Sequence, residues 1–157
     1  MRPLLARYAM PTKTLFLCRH GERKAPDFVR LSSRGRLQCH TLGRWLRAHK
    51  PATGYSCLVS SALARAVETR DILAGYVAPA GVSADREFNE TIDQGEATVR
   101  RLRDCVGRLM RGRDNVVLVT HSGVIVNLFR LYGVIPCGSP FFPVPLASVY
   151  VLRVPFE

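Results

Sequence analysis

Lys13-Thr14-Leu15-Phe16-Leu17-Cys18-Arg19-His20-Gly21-Glu22 joins a short apolar run to an Arg-His-Gly-Glu cluster. Leu15 to Cys18 is too short for a helix, apolar throughout and soon closed by a glycine, so it reads as a buried strand. Arg19 and His20 then fall at its carboxyl end, the edge of an open α/β sheet where ligands bind. An arginine beside a histidine there fits an anionic substrate and a nucleophile or proton carrier; it also fits two polar residues at a strand end.

Outward from this stretch, charge is distributed unevenly. Residues 1–50 hold twelve Lys/Arg against Glu22 and Asp27, a net of +10, so nearly all of the chain's +11 surrounds the cluster. A local positive field raises the encounter rate with acidic ligands such as phosphoesters, phosphoproteins or nucleic acid. The length of 157 residues suits a single domain, and 47% hydrophobic with 22% charged residues is ordinary for a globular one. No apolar run approaches the roughly 20 residues of a membrane span, so no membrane partner is expected.

Five cysteines (Cys18, Cys39, Cys57, Cys105, Cys137) are odd in number and form no C-x-x-C pair. They read as buried thiols of a reducing, cytoplasmic compartment rather than a disulfide framework. His20, His40, His49 and His121 lack the companions of a zinc site, so no metal is expected. Residues 1–12 (MRPLLARYAMPT) are basic, free of acids, interrupted by Pro3 and Pro11, and lack the apolar centre of a secretory signal. They read as a flexible basic arm before a domain at 13–157, with organelle targeting the lesser alternative.

Along the chain, strand and helix patterns alternate. A loop over Arg23 to Arg30 leads to a helix capped by Ser32 or Ser33, with Leu37, Leu42, Trp45 and Leu46 at helical spacing and an end before Pro51. Ser56 to Ser61 reads as a second buried strand, then Ala62 to Gly75 as a helix stopped by its glycine. Arg65 falls in that helix's first turn, either an anion-binding fork or a surface arginine. Val82 to Ala84 is a short strand before an acidic loop. Glu96 to Gly112 carries an apolar stripe of Val99, Leu102, Cys105, Val106, Leu109 and Met110, its arginines forming the exposed face. Asn115 to Thr120 is the clearest strand, ending in His121-Ser122-Gly123; Val124 to Tyr132 looks helical, Gly133 to Pro145 is loop, and Ser148 to Val154 closes the sheet. This order predicts a three-layer α/β/α fold around a mainly parallel sheet, so separate clusters can converge on one sheet edge.

Four of those clusters together resemble the histidine phosphatase superfamily, also called phosphoglycerate mutase-like. Arg19-His20-Gly21-Glu22 resembles its signature, Leu31-Ser32-x-x-Gly35-x-x-Gln38 its helix start, Ser61-x-x-x-Arg65-Ala66-x-x-Thr69 its third motif and Thr120-His121-Ser122-Gly123 its second histidine motif. The resemblance implies His20 as nucleophile, with Arg19, Arg65 and His121 around the phosphate and no cofactor. A neutral imidazole can attack phosphorus in line, while arginines hold the equatorial oxygens. The resemblance also implies a glutamate as proton donor, in Phe88-Asn89-Glu90; Glu90 is chosen and Glu87 is the runner-up. Where the family commonly has asparagine, four residues after the signature glutamate, this chain has Pro26, and Arg30 is the candidate replacement. The abbreviated spacer is similar to the small SixA-type phosphohistidine phosphatases. The expectation is therefore a metal-independent phosphatase working through a phosphohistidine on a phosphoprotein or small phosphomonoester. A mutase-type phosphotransferase is the enzyme alternative, and a non-catalytic phosphate- or nucleic-acid-binding module the other; nucleic acid is not the expected partner.

Overall fold

The computed structural model describes residues 12–134 and 143–155. Leu15 to Cys18 lie in strand β1 (Thr12–Arg19), and the layers on either side explain why the run is wholly apolar. Leu15 and Leu17 enter one core with Leu102, Met110, Ile125 and Phe129, whereas Phe16 and Cys18 enter another with Leu42, Leu46, Leu73 and Val77. A strand covered on both faces has no polar side to show. Each large side chain so buried contributes roughly 1.5–3 kcal/mol.

After β1 come α1 (Ser33–Ala48), β2 (Cys57–Ser60), α2 (Ala64–Val77), β3 (Val82–Ala84), a 3-10 turn at Arg86–Phe88, α3 (Glu96–Met110), β4 (Asn115–Thr120), α4 (Ser122–Leu131) and β5 (Val149–Pro155). The fold is mixed α/β, a five-stranded central sheet flanked by these four helices. Strand order is β3-β2-β4-β1-β5, parallel except for β5, which runs antiparallel to β1. Helices α1 and α2 cover one face, α3 and α4 the other.

Several boundaries differ from the sequence reading, for tertiary reasons. The buried face of α1 is Gly35, Cys39, Leu42, Gly43 and Leu46, while Leu37 is 69% exposed and Trp45 lies at the surface. A Cβ on Gly35 would stand 2.2 Å from the Glu22 carbonyl oxygen, and one on Gly43 would stand 2.3 Å from the Tyr76 ring. Small residues therefore share the contact face with Leu42 and Leu46, while Leu37 and Trp45 turn outward. Helix α2 runs past Gly75 to Val77 and ends at Ala78, in the left-handed region at φ 44°. Val77 is fully buried, and that packing outweighs the glycine. Helix α4 starts two residues early, at Ser122, with His121 as its N-cap. Thr12, assigned to the arm, is the first residue of β1 and pairs with Pro155. Residues 1–11 of that arm, and 135–142 of the Gly/Pro loop with Cys137, lie outside the described residues. No helix among the described residues is long and apolar enough to cross a membrane.

Candidate active site at the carboxyl ends of three strands

Register sets the site. Arg19 on β1 pairs with Thr120 on β4, and Ser60 on β2 with Val119. The ladder continues one residue further: His20 N–H donates to the Thr120 carbonyl (3.2 Å) and Ser61 N–H to the Val119 carbonyl (2.9 Å). Three residues leaving three parallel strands thus stand side by side, His121 between Ser61 and His20. The two imidazoles are buried with centroids 5.1 Å apart, and Ser61 Oγ lies 2.6 Å from His121 Nε2.

Contacts around His20 fix its tautomer. Nδ1 lies 2.7 Å from the Gly21 carbonyl, which can only accept, so Nδ1 carries the proton. Nε2 keeps its lone pair, and Arg65 Nε donates to it at 3.3 Å from the first turn of α2. Burial pushes the His20 pKa down to about 4; the Gly21 bond opposes this, and the charges of Arg65, Arg19 and Arg23 add to it. His121 is pushed down to about 2 by burial and then by His20, Arg65, Arg19 and Arg23. Both rings are neutral at pH 7. Burial also lowers the pKa of Arg19 and of Arg65, with Arg23 adding to the effect on both. Crowded cations of this kind favour an anion between them.

Glu90 and Glu87 have different surroundings. The buried Phe88 accepts from Thr120 Oγ1 through its carbonyl (2.7 Å), and Asn89 Oδ1 accepts from Ala62 N–H (2.8 Å), clamping this segment over the exits of β4 and β2. Glu90 Oε1 accepts from Gly123 N–H and Thr91 N–H, each at 3.2 Å, leaving Oε2 at 3.8 Å from His121 Nδ1. That separation is too long for a hydrogen bond, and Nδ1 has no partner among the described residues. Glu87 instead pairs with Arg101 on α3 at 2.8 Å.

Arg19 donates to the Val144 carbonyl, so the lead-in to β5 steadies its guanidinium. Arg30 is exposed and turned to Glu68 at 3.4 Å, and it is not among the charges acting on His20. Arg23 is among them, and sequence reasoning missed it; its exposed guanidinium lies 5.3 Å over the Phe28 ring. The only signal was its position one residue after the signature. In the sequence Thr69 is only a motif position, yet its Oγ1 accepts from Gly21 N–H at 3.2 Å. Glu22 is held by Ser32 Oγ (2.7 Å), and its N–H donates to Gln38 Oε1 (2.9 Å), so these motif residues bind the His20 loop to α1. Cys18, Cys39, Cys57 and Cys105 are buried and unpaired, burial raising each pKa. Among the described residues no three metal-ligating side chains are grouped to hold an ion.

Residues 15–92 match the histidine phosphatase superfamily (branch 1). No curated protein matches the chain. Among solved structures, phosphoglycerate mutase from Bacillus anthracis str. Sterne shares 15% identity over 94% of this chain and 91% of its own, at TM-score 0.72. Mycobacterial glucosyl-3-phosphoglycerate phosphatase complexed with VO3 shares 20% over 88% and 90%, at 0.70. The protein histidine phosphatase SixA complexed with tungstate shares 20% over 88% and 86%, at 0.68. At these identities the likeness is one of fold.

Proposed function

Because the chain belongs to the histidine phosphatase superfamily, we propose that it is a phosphatase acting through phosphorylated His20 on a phosphoprotein or small phosphomonoester. One observation carries the reading: the His20 Nδ1 proton is committed to the Gly21 carbonyl, so the Nε2 lone pair faces Arg65. In the first step Nε2 attacks phosphorus, the bond to the leaving oxygen breaks, and Glu90 gives that oxygen a proton. Arg19, Arg65 and His121 hold the phosphoryl oxygens, and Arg23 adds to the field. Positive charge fixed beforehand is the main catalytic resource in phosphoryl transfer, and these side chains supply it without a metal. In the second step water attacks phosphorus while Glu90 takes its proton. The N–P bond breaks and inorganic phosphate leaves.

Oxyanions, VO3 and tungstate, are bound by two of the proteins that share this fold, which supports a phosphoryl site here. Exposed Phe28 and Val29, on the loop between Arg23 and Arg30, support an open rim suited to a protein substrate. The buried thiols fit a reducing compartment. Incubation with a labelled phosphomonoester is expected to leave acid-labile phosphate on the wild type and none on His20→Ala. Equal labelling of both removes His20 as nucleophile. Transfer of the label to a second substrate hydroxyl rather than to water would make the enzyme a mutase.

A further inference from the structure

Ser61 has no part in the steps above, yet it is fully buried with Oγ 2.6 Å from His121 Nε2. A neutral imidazole carries one proton, and what one nitrogen meets decides what the other can do. Leu63 N–H donates to Ser61 Oγ at 3.4 Å, and His121 Nε2 is the one acceptor within reach of the serine O–H among the described residues, so the buried hydroxyl donates to Nε2. Glu90 Oε2, 3.8 Å from Nδ1, is a carboxylate oxygen before Glu90 takes up the proton it later gives, and in that state it favours a proton on Nδ1. Both contacts put the proton on Nδ1. That nitrogen is buried without a hydrogen-bond partner among the described residues, as is Arg19 Nε on the adjoining strand. Buried donors left unpaired in this way call for an explanation, and an incoming acceptor supplies one.

We propose that Ser61 is a positioning residue that locks His121 as the Nδ1–H tautomer, so that the ring donates to a phosphoryl oxygen instead of opposing it with a lone pair. The proposal rests on the phosphoryl-transfer reading. The charged and titratable groups facing the ring are Arg19 at the end of β1, His20 and Arg23 just beyond it, Arg65 on α2 and Glu90 before α3. The arginines oppose a cationic ring, so the tautomer is its remaining freedom.

The test uses the nitrogen-15-labelled full chain at pH 7, with the His121 signals assigned by their loss in His121→Asn. Long-range proton–nitrogen spectra are expected to show Nδ1 protonated and Nε2 bare. In Ser61→Ala the tautomers should mix or reverse and kcat should fall roughly tenfold to a hundredfold, the scale of one lost hydrogen bond. Ser61→Cys, which keeps a weak donor, should restore part of both. A wild-type proton on Nε2 overturns the proposal, and so does Ser61→Ala with the tautomer kept and kcat within about twofold, a change too small for a lost hydrogen bond. If Ser61→Ala fails to fold, the wild-type spectrum decides alone. The expected tautomer with no label on His20 would leave the Ser61 assignment standing and remove the phosphoryl reading.

Discussion

Glu90 and Glu87 are three residues apart on one short segment, and burial of Phe88 between them sends the first toward His121 and the second toward Arg101. A proton donor must reach the leaving oxygen, and a carboxylate tied to α3 does not. Glu90→Gln is therefore expected to lower kcat on an alkyl phosphomonoester by about 10²–10⁴. An aryl phosphate whose leaving group needs no proton should lose far less, and Glu87→Gln should change neither rate. Equal losses on the two substrates would place Glu90 outside proton transfer. Sequence motifs exposed the residues whose chemistry is unusual at a strand end: Arg19, His20, Arg65 and His121. They did not expose Arg23, and they carried Ser61 only as a motif position without a role. Serine is common in loops, and only the pairing of β2 with β4 brings Ser61, sixty positions earlier in the chain, against His121.

At the scale of elements, apolar composition made β1 and β4 legible because both are buried on two faces, and a strong stripe did the same for α3. The packing face of α1 was legible only in part: Leu42 and Leu46 are buried as their spacing predicts, whereas Leu37 turns outward and the contact is completed by Gly35, Cys39 and Gly43, which carry little hydrophobic signal. The end of α2 was misread because a glycine weakens a helix by only about 1 kcal/mol, less than the burial of Val77 repays. Close approach is also what ties Glu90 to α4. A Cβ on Gly123 would stand 1.7 Å from the Thr91 carbonyl oxygen and 2.8 Å from Glu90 Oε1. Gly123→Ala should thus push the 90–91 segment off the start of α4, costing about 1–3 kcal/mol as overpacking does. The expected result is a lower thermal midpoint together with a kcat loss on alkyl phosphates like that of Glu90→Gln. A variant that melts lower but turns over normally would show that Glu90 needs no such anchorage.

For the whole molecule, the site has a cost in stability that depends on pH. His20 and His121 are buried neutral, with pKa values near 4 and 2 against an ordinary 6.5. Between those limits the unfolded chain binds protons that the folded chain refuses, so stability rises with pH across this window. Above pH 6.5 neither form is protonated at these rings and the penalty vanishes. As pH falls toward 4 both rings oppose folding, at up to roughly 2–3 kcal/mol per pH unit together. The chain's net charge of +11 adds self-repulsion as carboxylates begin to protonate. Urea unfolding followed from pH 7 to 4.5 should therefore show a steep fall in the midpoint, well before most carboxylates are neutral. The double variant His20→Asn/His121→Asn should flatten that fall while leaving a similar midpoint at pH 7. A slope unchanged in the double variant would mean that both imidazoles titrate normally in the folded protein, and the neutral nucleophile would lose its electrostatic basis.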